Sequence, residues 1–136
     1  MKWFFVATFL IYSLNVTGFR LGKFVLCGSC VKDEPIDLVF YFPYAAAVVT
    51  FWFASHIGQW LLLGLFALFH VVCFFSTYKY CLWPDEDKIK RYNLHFAHTH
   101  HIIKPSQRVL VPDTFHMMLF VKFFVNLITI VIYTLT

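Results

Sequence analysis

A chain of 136 residues, 60% hydrophobic and only 13% charged, is long enough for one domain at most and has the composition of a protein whose solvent is lipid. Its mean hydropathy is +0.71, and the small net charge of +4 lies outside the apolar segments, which argues against a basic nucleic-acid-binding surface and fits membrane headgroups. The 18 Phe gain little by clustering where the surroundings are equally apolar, so their abundance is read as membrane burial rather than as a special core.

The first apolar segment begins at Trp3 and is interrupted only by Thr8, Ser13, Asn15 and Thr17 before Phe19. With Phe24-Val25-Leu26 it predicts a first transmembrane helix over about 3–26. Lys2 and the small-residue run Val16-Thr17-Gly18 also fit a cleaved signal peptide. Cleavage would leave three spans and translocate the connection that carries Lys79, Lys88, Lys90, Arg91, Lys104 and Arg108, against the positive-inside rule. The segment is therefore read as retained. The sequon Asn15-Val16-Thr17 lies within it and is expected to be unmodified.

The four Cys do not make a disulfide scaffold, because membrane helices satisfy their own backbone and Cys73 lies in an apolar segment. Cys27-Gly28-Ser29-Cys30 is half of a zinc site, a dithiol pair, or simply two reduced thiols.

From Leu38 to Tyr80 no charged residue occurs before Lys79, about twice what one ~30 Å hydrocarbon core needs. This predicts two helices, over about 38–56 and 60–80, with a tight return at Ser55-His56-Ile57-Gly58-Gln59 and Trp60 as an interfacial anchor. Pro43 falls in the first turns of the earlier helix, where a missing amide costs least.

Trp83-Pro84 closes that segment, and Asp85, Glu86 and Asp87 suit the start of a new helix. Ile89, Tyr92 and Phe96 oppose Lys88, Lys90 and Arg91, the pattern of a short amphipathic helix on the cytosolic leaflet, either a docking face or a membrane-resting connector. His95, His98 and His101 follow at spacings of three, so with Cys27 and Cys30 they are the weak candidates for a metal. A solvated cluster accounts for them as well, and no cofactor is expected. His56 and His70 have haem-ligand spacing, but Gly58 falls between them and only His116 offers a partner, so no haem is expected either.

The last helix is predicted over about 114–135, with Asp113 as N-cap after Pro112. Lys122 and Asn126 are four apart on one face and mark a contact for a membrane client, or a lysine reaching sideways to an interface. Charge counting then puts both termini and the uncharged hairpin tip on the luminal or extracellular side, with the two basic connections in the cytosol. No nucleophile–base arrangement, phosphate loop or intramembrane carboxylate pair occurs, so an enzyme is not expected.

In this order the features resemble the cornichon family of four-helix membrane proteins. The resemblance rests on Leu14-Asn15-Val16, Glu34-Pro35-Ile36-Asp37-Leu38, Pro43 with Ala45-Ala46, Trp60 to Leu65, Asp85 to Ile89, and Phe115-His116-Met117-Met118-Leu119-Phe120. Cys27 to Lys32 stands where the family has an acidic pair, Phe66 and Leu68 replace an Asn and a Pro, Tyr44 replaces a Glu, and the histidine-rich stretch is an insertion. What the resemblance implies is a cargo receptor for vesicle export of membrane proteins from the endoplasmic reticulum. A close variant is an auxiliary subunit of a channel or receptor.

The expectation is thus an all-α, four-transmembrane-helix adaptor of the early secretory pathway. Its partners are the bilayer, integral membrane clients and a vesicle coat, and not nucleic acid. Coat contact is assigned to Asp85, Ile89, Arg91 and Tyr92, and client contact to Trp60, Lys122 and Asn126. The alternative is a small supernumerary subunit of a large organelle membrane complex, such as a respiratory-chain component of the mitochondrial inner membrane.

Overall fold

The computed structural model describes residues 1–28 and 38–136, with the side chain of Asn15 excepted. Cys30, Lys32 and the stretch Glu34-Pro35-Ile36-Asp37 lie outside the described residues. The chain is mostly helical. In order it forms α1 (Lys2–Thr17), a hairpin of β1 (Phe19–Leu21) and β2 (Phe24–Cys27), α2 (Leu38–Phe53) and α3 (Ser55–Cys73). A π-helical turn (Phe74–Tyr78) joins α3 to α4 (Lys79–Leu82), and α5 (Glu86–His95) and α6 (Thr114–Leu135) follow.

Helix α1 ends at Thr17, not near residue 26. Gly18 takes φ 77 and breaks the helical path, and Gly22 at φ 59 turns the chain back. Phe24-Val25-Leu26 therefore pairs antiparallel with Phe19–Leu21 instead of extending the helix, with Arg20 opposite Val25 and an irregularity beside Phe19. The next return is tighter than its sequence implies. Ala54 alone separates α2 from α3, so Ser55 to Gln59 already belong to α3. The Ser55 hydroxyl donates back to Phe51 O at 3.1 Å, and the Gly58 N–H donates to Ala54 O at 2.9 Å.

Each helix turns one stripe inward. Tyr44, Ala47, Val48 and Phe51 are the buried residues of α2, Gly58, Leu62, Phe66 and Phe69 those of α3, and α6 buries Leu119, Phe123, Asn126 and Ile130. These spacings of three, four and seven keep a single face of each helix on the common core. Phe5 and Tyr12 complete it from α1.

The core is aromatic, contrary to the reading of the Phe content as lipid burial alone. Phe69 and Phe123 stack with centroids 3.9 Å apart, and Phe66 meets Phe5, Tyr44 and Phe123 at 6.0, 5.3 and 5.4 Å. Such ring pairs add about 0.5–1.5 kcal/mol each beyond the area they cover. They favour protein–protein contact even where burial as such gains little.

The helix ends fall into two groups. At one end Lys2 Nζ donates to Trp52 O at 2.7 Å, Trp3 meets Trp52 and Phe51 meets Tyr133, so the chain ends and the α2–α3 return lie together. At the other end His100 N–H donates to Val25 O at 2.7 Å, which ties the hairpin to the connection between α5 and α6. Arg20, Lys23, Lys79, Lys88, Lys90, Arg91, Lys104 and Arg108 all belong to that second end.

Two helical stretches, Ser55–Leu82 and Thr114–Leu135, are long and apolar enough to cross a membrane. Helices α1 and α2, of 16 residues each, span about 24 Å, short of the ~30 Å hydrocarbon core.

Candidate functional site

Chemistry-bearing side chains gather in three places: on α5, at the head of α6, and between α1, α2 and α6.

Helix α5 starts where the acidic run implies, with Asp85 accepting the Lys88 N–H at 2.9 Å. Its apolar face is covered by protein. Ile89 is 1% exposed and Tyr92 is buried with it against Leu110, flanked by Tyr80, Cys81 and Phe96. The helix therefore does not rest on a leaflet by that face, and Ile89 and Tyr92 offer nothing to a coat. The Asn93 amide donates to Ser106 O at 2.8 Å and fixes the following connection to the same helix. Of the residues assigned to coat contact, only Asp85 and Arg91 are exposed, on a surface with Glu86, Asp87, Lys90 and Leu94.

Behind α5 a polar knot closes the head of α6. Asp113, 1% exposed, is the N-cap, and its Oδ1 accepts both the backbone N–H of His116 at 2.9 Å and the ring Nδ1–H at 2.6 Å. Its Oδ2 accepts from the Thr99 hydroxyl at 2.7 Å, and its own N–H donates to Tyr92 Oη at 3.2 Å. Burial pushes the Asp113 carboxyl up, but the His116 bonds and charge, with Thr99, outweigh it and hold the group below its ordinary value. Thr114 extends the knot: its Oγ1 accepts from Ile102 N–H at 3.0 Å and lies 2.8 Å from His100 Nδ1. These bonds join three separate stretches, α5, the connection after it and the head of α6, and they position rather than react.

The third place is inside the helices. Asn126, fully buried, donates from Nδ2 to Tyr44 Oη at 3.1 Å. The Thr8 hydroxyl gives its one proton to Phe5 O at 3.2 Å, so the Tyr44 hydroxyl donates to Thr8 Oγ1, 2.9 Å away. The polar chain Asn126–Tyr44–Thr8 thus crosses from α6 through α2 to α1, each membrane-type bond being worth about 0.6 kcal/mol. Asn126 serves this internal chain and does not face a client.

Lys122, one turn earlier, also points inward. Its Nζ stands 4.4, 4.7 and 5.3 Å from the ring centroids of Phe123, Tyr12 and Tyr44, buried and with no hydrogen-bond acceptor in reach among the described residues. Trp60, the third residue assigned to client contact, is 54% exposed and borders an outer groove with Pro43, Ala46, Gly64 and Leu68.

Among the described residues the candidate histidines do not share a helix face. His95 ends α5, after which Phe96 leaves the helical path, so the spacing of three stops defining a shared face. His101 Nε2 lies 3.1 Å from Phe96 O, and His98 stands over the hairpin beside Val25 and Cys27. Among the described residues no three His, Cys, Asp or Glu side chains converge. His70 Nδ1 lies 2.7 Å from Phe66 O, and its ring packs on Phe120 of α6 at 5.0 Å.

Two features of the sequence foretold more than they were given. The Asp113–His116 spacing of three is that of a capping pair, and Tyr44 and Thr8 are hydroxyls in apolar segments that had to find partners. No protein-family model, curated protein or solved structure matches the chain.

Proposed function

We propose that the chain is a non-enzymatic four-span membrane adaptor of the cornichon type, which holds membrane clients by its helices and presents α5 to a cytosolic coat. The observation that carries this reading is the distribution of surface. Outward residues of all four long helices are large and apolar: Leu10, Phe42, Leu68 and Val121 are 60, 66, 55 and 59% exposed. Charge collects at the connection end, with Lys2 at the opposite end and Lys122 turned inside.

Lipid is the solvent that suits such an exterior. The 24 Å lengths of α1 and α2 are accommodated by local thinning beside the longer α3 and α6. The basic end then faces the cytosol, and both termini and the Ala54 return face the lumen. On that face α5 is pinned by its buried side, so Glu86, Asp87, Lys90, Arg91 and Leu94 form a fixed platform, a better docking element than a mobile loop.

The test is affinity purification from native membranes in mild detergent, comparing the wild type with K90E/R91E. The adaptor is expected to recover coat subunits together with assorted membrane proteins. The double variant is expected to lose the coat subunits and keep the membrane proteins, with thermal stability unchanged because both side chains are exposed. Recovery of one fixed large assembly in equal proportion, indifferent to K90E/R91E, would contradict the reading and make the chain a structural subunit.

A further inference from the structure

The helical stretch Ser55–Leu82 is longer than a bilayer interior requires. Lys79 lies roughly 36 Å along it from Ser55, past a ~30 Å hydrocarbon core and so at the depth of the headgroups. One turn deeper Phe75 is exposed, as are Val71 and Val72 below it, so the flank beneath Lys79 is an apolar outer surface.

The Lys79 ammonium leans back over that flank. It stands 5.8 Å from the ring centroid of Phe75 and 4.8 Å from that of Tyr80. A second cation reaches the same ring from a different element, because Lys88 Nζ of α5 lies 5.6 Å from the Tyr80 centroid. Tyr80 is itself packed against the cluster of Ile89, Tyr92 and Leu110, so the ring and α5 are held as one piece. Neither ammonium has an ion-pair or hydrogen-bond partner among the described residues. A ring face attracts an exposed cation by about 0.5–1 kcal/mol, whereas two cations gathered on one ring repel each other. What the pair lacks is an anion between them.

We infer that Lys79 and Lys88, over Tyr80, hold the head of a phospholipid that ends in a phosphomonoester, with its acyl chains along Phe75, Val72 and Val71. Two ammoniums match the charge of about −1.5 to −2 that a phosphomonoester carries at neutral pH, and a phosphodiester brings less. Lysine takes phosphate as a point charge, so two flexible amines serve without a planar fork. An acidic peptide would bring similar charge, but the lean of Lys79 over Phe75 puts the site beside an apolar flank, where a lipid has its body and a cytosolic chain does not. The inference rests on the reading of Ser55–Leu82 as a membrane span. It leaves Lys90 and Arg91 to the coat.

The test is native mass spectrometry of the full chain in mild detergent, titrated with phosphatidic acid and with phosphatidylglycerol. Phosphatidic acid is expected to bind about 10- to 100-fold more tightly, the worth of one further charge-assisted hydrogen bond. K79Q/K88Q is expected to abolish that preference with thermal stability unchanged, because neither amine holds another part of the chain. K90Q/R91Q, which removes the same charge from the outer face of α5, is expected to keep it. Equal binding of the two lipids by the wild type, equal losses in the two double variants, or displacement of the lipid by inorganic phosphate at matched concentration would each overturn the assignment. So would loss of coat subunits by K79Q/K88Q with lipid binding intact, which would give the pair to an acidic peptide. Carbonate extraction of microsomes separates the two readings: a chain that stays in the washed membrane yet shows no lipid preference loses this site alone, and release by carbonate would overturn the span and the site together.

Discussion

Gly58→Ala is expected to destroy the packing of α2 on α3 and leave little monodisperse protein on extraction. A Cβ built at Gly58 runs into the backbone N and Cα of Phe51 on the facing helix, and backbone cannot step aside as the end of a flexible side chain can. The two helices are joined through Ala54 alone, so no slack in the connection lets them part. Separating them would also disturb Phe51, which meets Phe5 and Tyr133 from the other end of the chain. Overpacking of this kind costs about 3 kcal/mol, a large share of what holds a small bundle together.

Gly64→Ala, six residues on in the same helix, is the matched control. Nothing lies within 4 Å of its Cβ position, and Ala is the better helix former by about 1 kcal/mol. Thermal unfolding followed by fluorescence-detected size exclusion should therefore place Gly64→Ala at or above the wild type and Gly58→Ala far below it. Equal behaviour of the two would mean that α2 and α3 are not in that register.

The second large effect is expected at Asp113. Asp113→Ala removes the N-cap of α6 and, with it, the acceptor of the Thr99 hydroxyl and of both His116 donors, inside a site that is 1% exposed. Removing one partner from a buried charged network typically costs about 3 kcal/mol, because the groups left behind remain desolvated. The consequence reaches beyond α6, since Tyr92 and Ile102 are tied into the same knot and hold α5 and its following connection in place.

The knot also makes acid sensitivity a signature of Asp113. The folded carboxyl has a lower affinity for its proton than the ordinary aspartate of the unfolded chain, near ~3.9. In acid the unfolded chain therefore binds more protons than the folded one. Stability contributed by Asp113 is complete above the ordinary value and is lost as pH falls from there through the folded value. Asp113→Asn, which cannot titrate, should flatten that acid limb while lowering stability at neutral pH. An unchanged acid limb in the variant would assign the sensitivity to other carboxylates.

What could be read from the sequence follows the range of the interactions involved. Asp113 after Pro112, and Asp85 ahead of Glu86 and Asp87, announce helix starts because capping needs only the next three residues. The limits of α6 were legible for the same reason, as one long, mainly apolar run after a cap. Elsewhere local signals misled. Phe24-Val25-Leu26 has the composition of a helix continuation, and only the left-handed backbone at Gly18 and Gly22 turns it into a strand. The polar run Ser55 to Gln59 reads as a loop, yet it is the first turn of α3: the Ser55 hydroxyl bonds back to Phe51 O of α2, and Gly58 is there for close approach.

Orientation about a helix axis was the least legible property. Lys122 and Asn126 share a polar face, and polar residues in a span do face protein, but the protein they face is this one. Asn126 finds Tyr44, 82 residues away, and Lys122 finds the rings of Tyr12 and Tyr44. The amphipathic stripe of α5 was likewise visible, whereas its cover, Leu110, comes from a stretch with no periodicity to announce it.

Protease protection on sealed microsomes tests the central claim, that four helices cross the bilayer with the charged connections together on the cytosolic side. One version carries a cleavable tag ahead of Met1, one a tag after Thr136, and one a tag inserted between Lys104 and Arg108. Protease added outside the microsomes is expected to cut only the inserted tag and to spare both terminal tags until detergent opens the lumen. Cleavage of all three in intact microsomes, or protection of the inserted tag while a terminal one is cut, would contradict it.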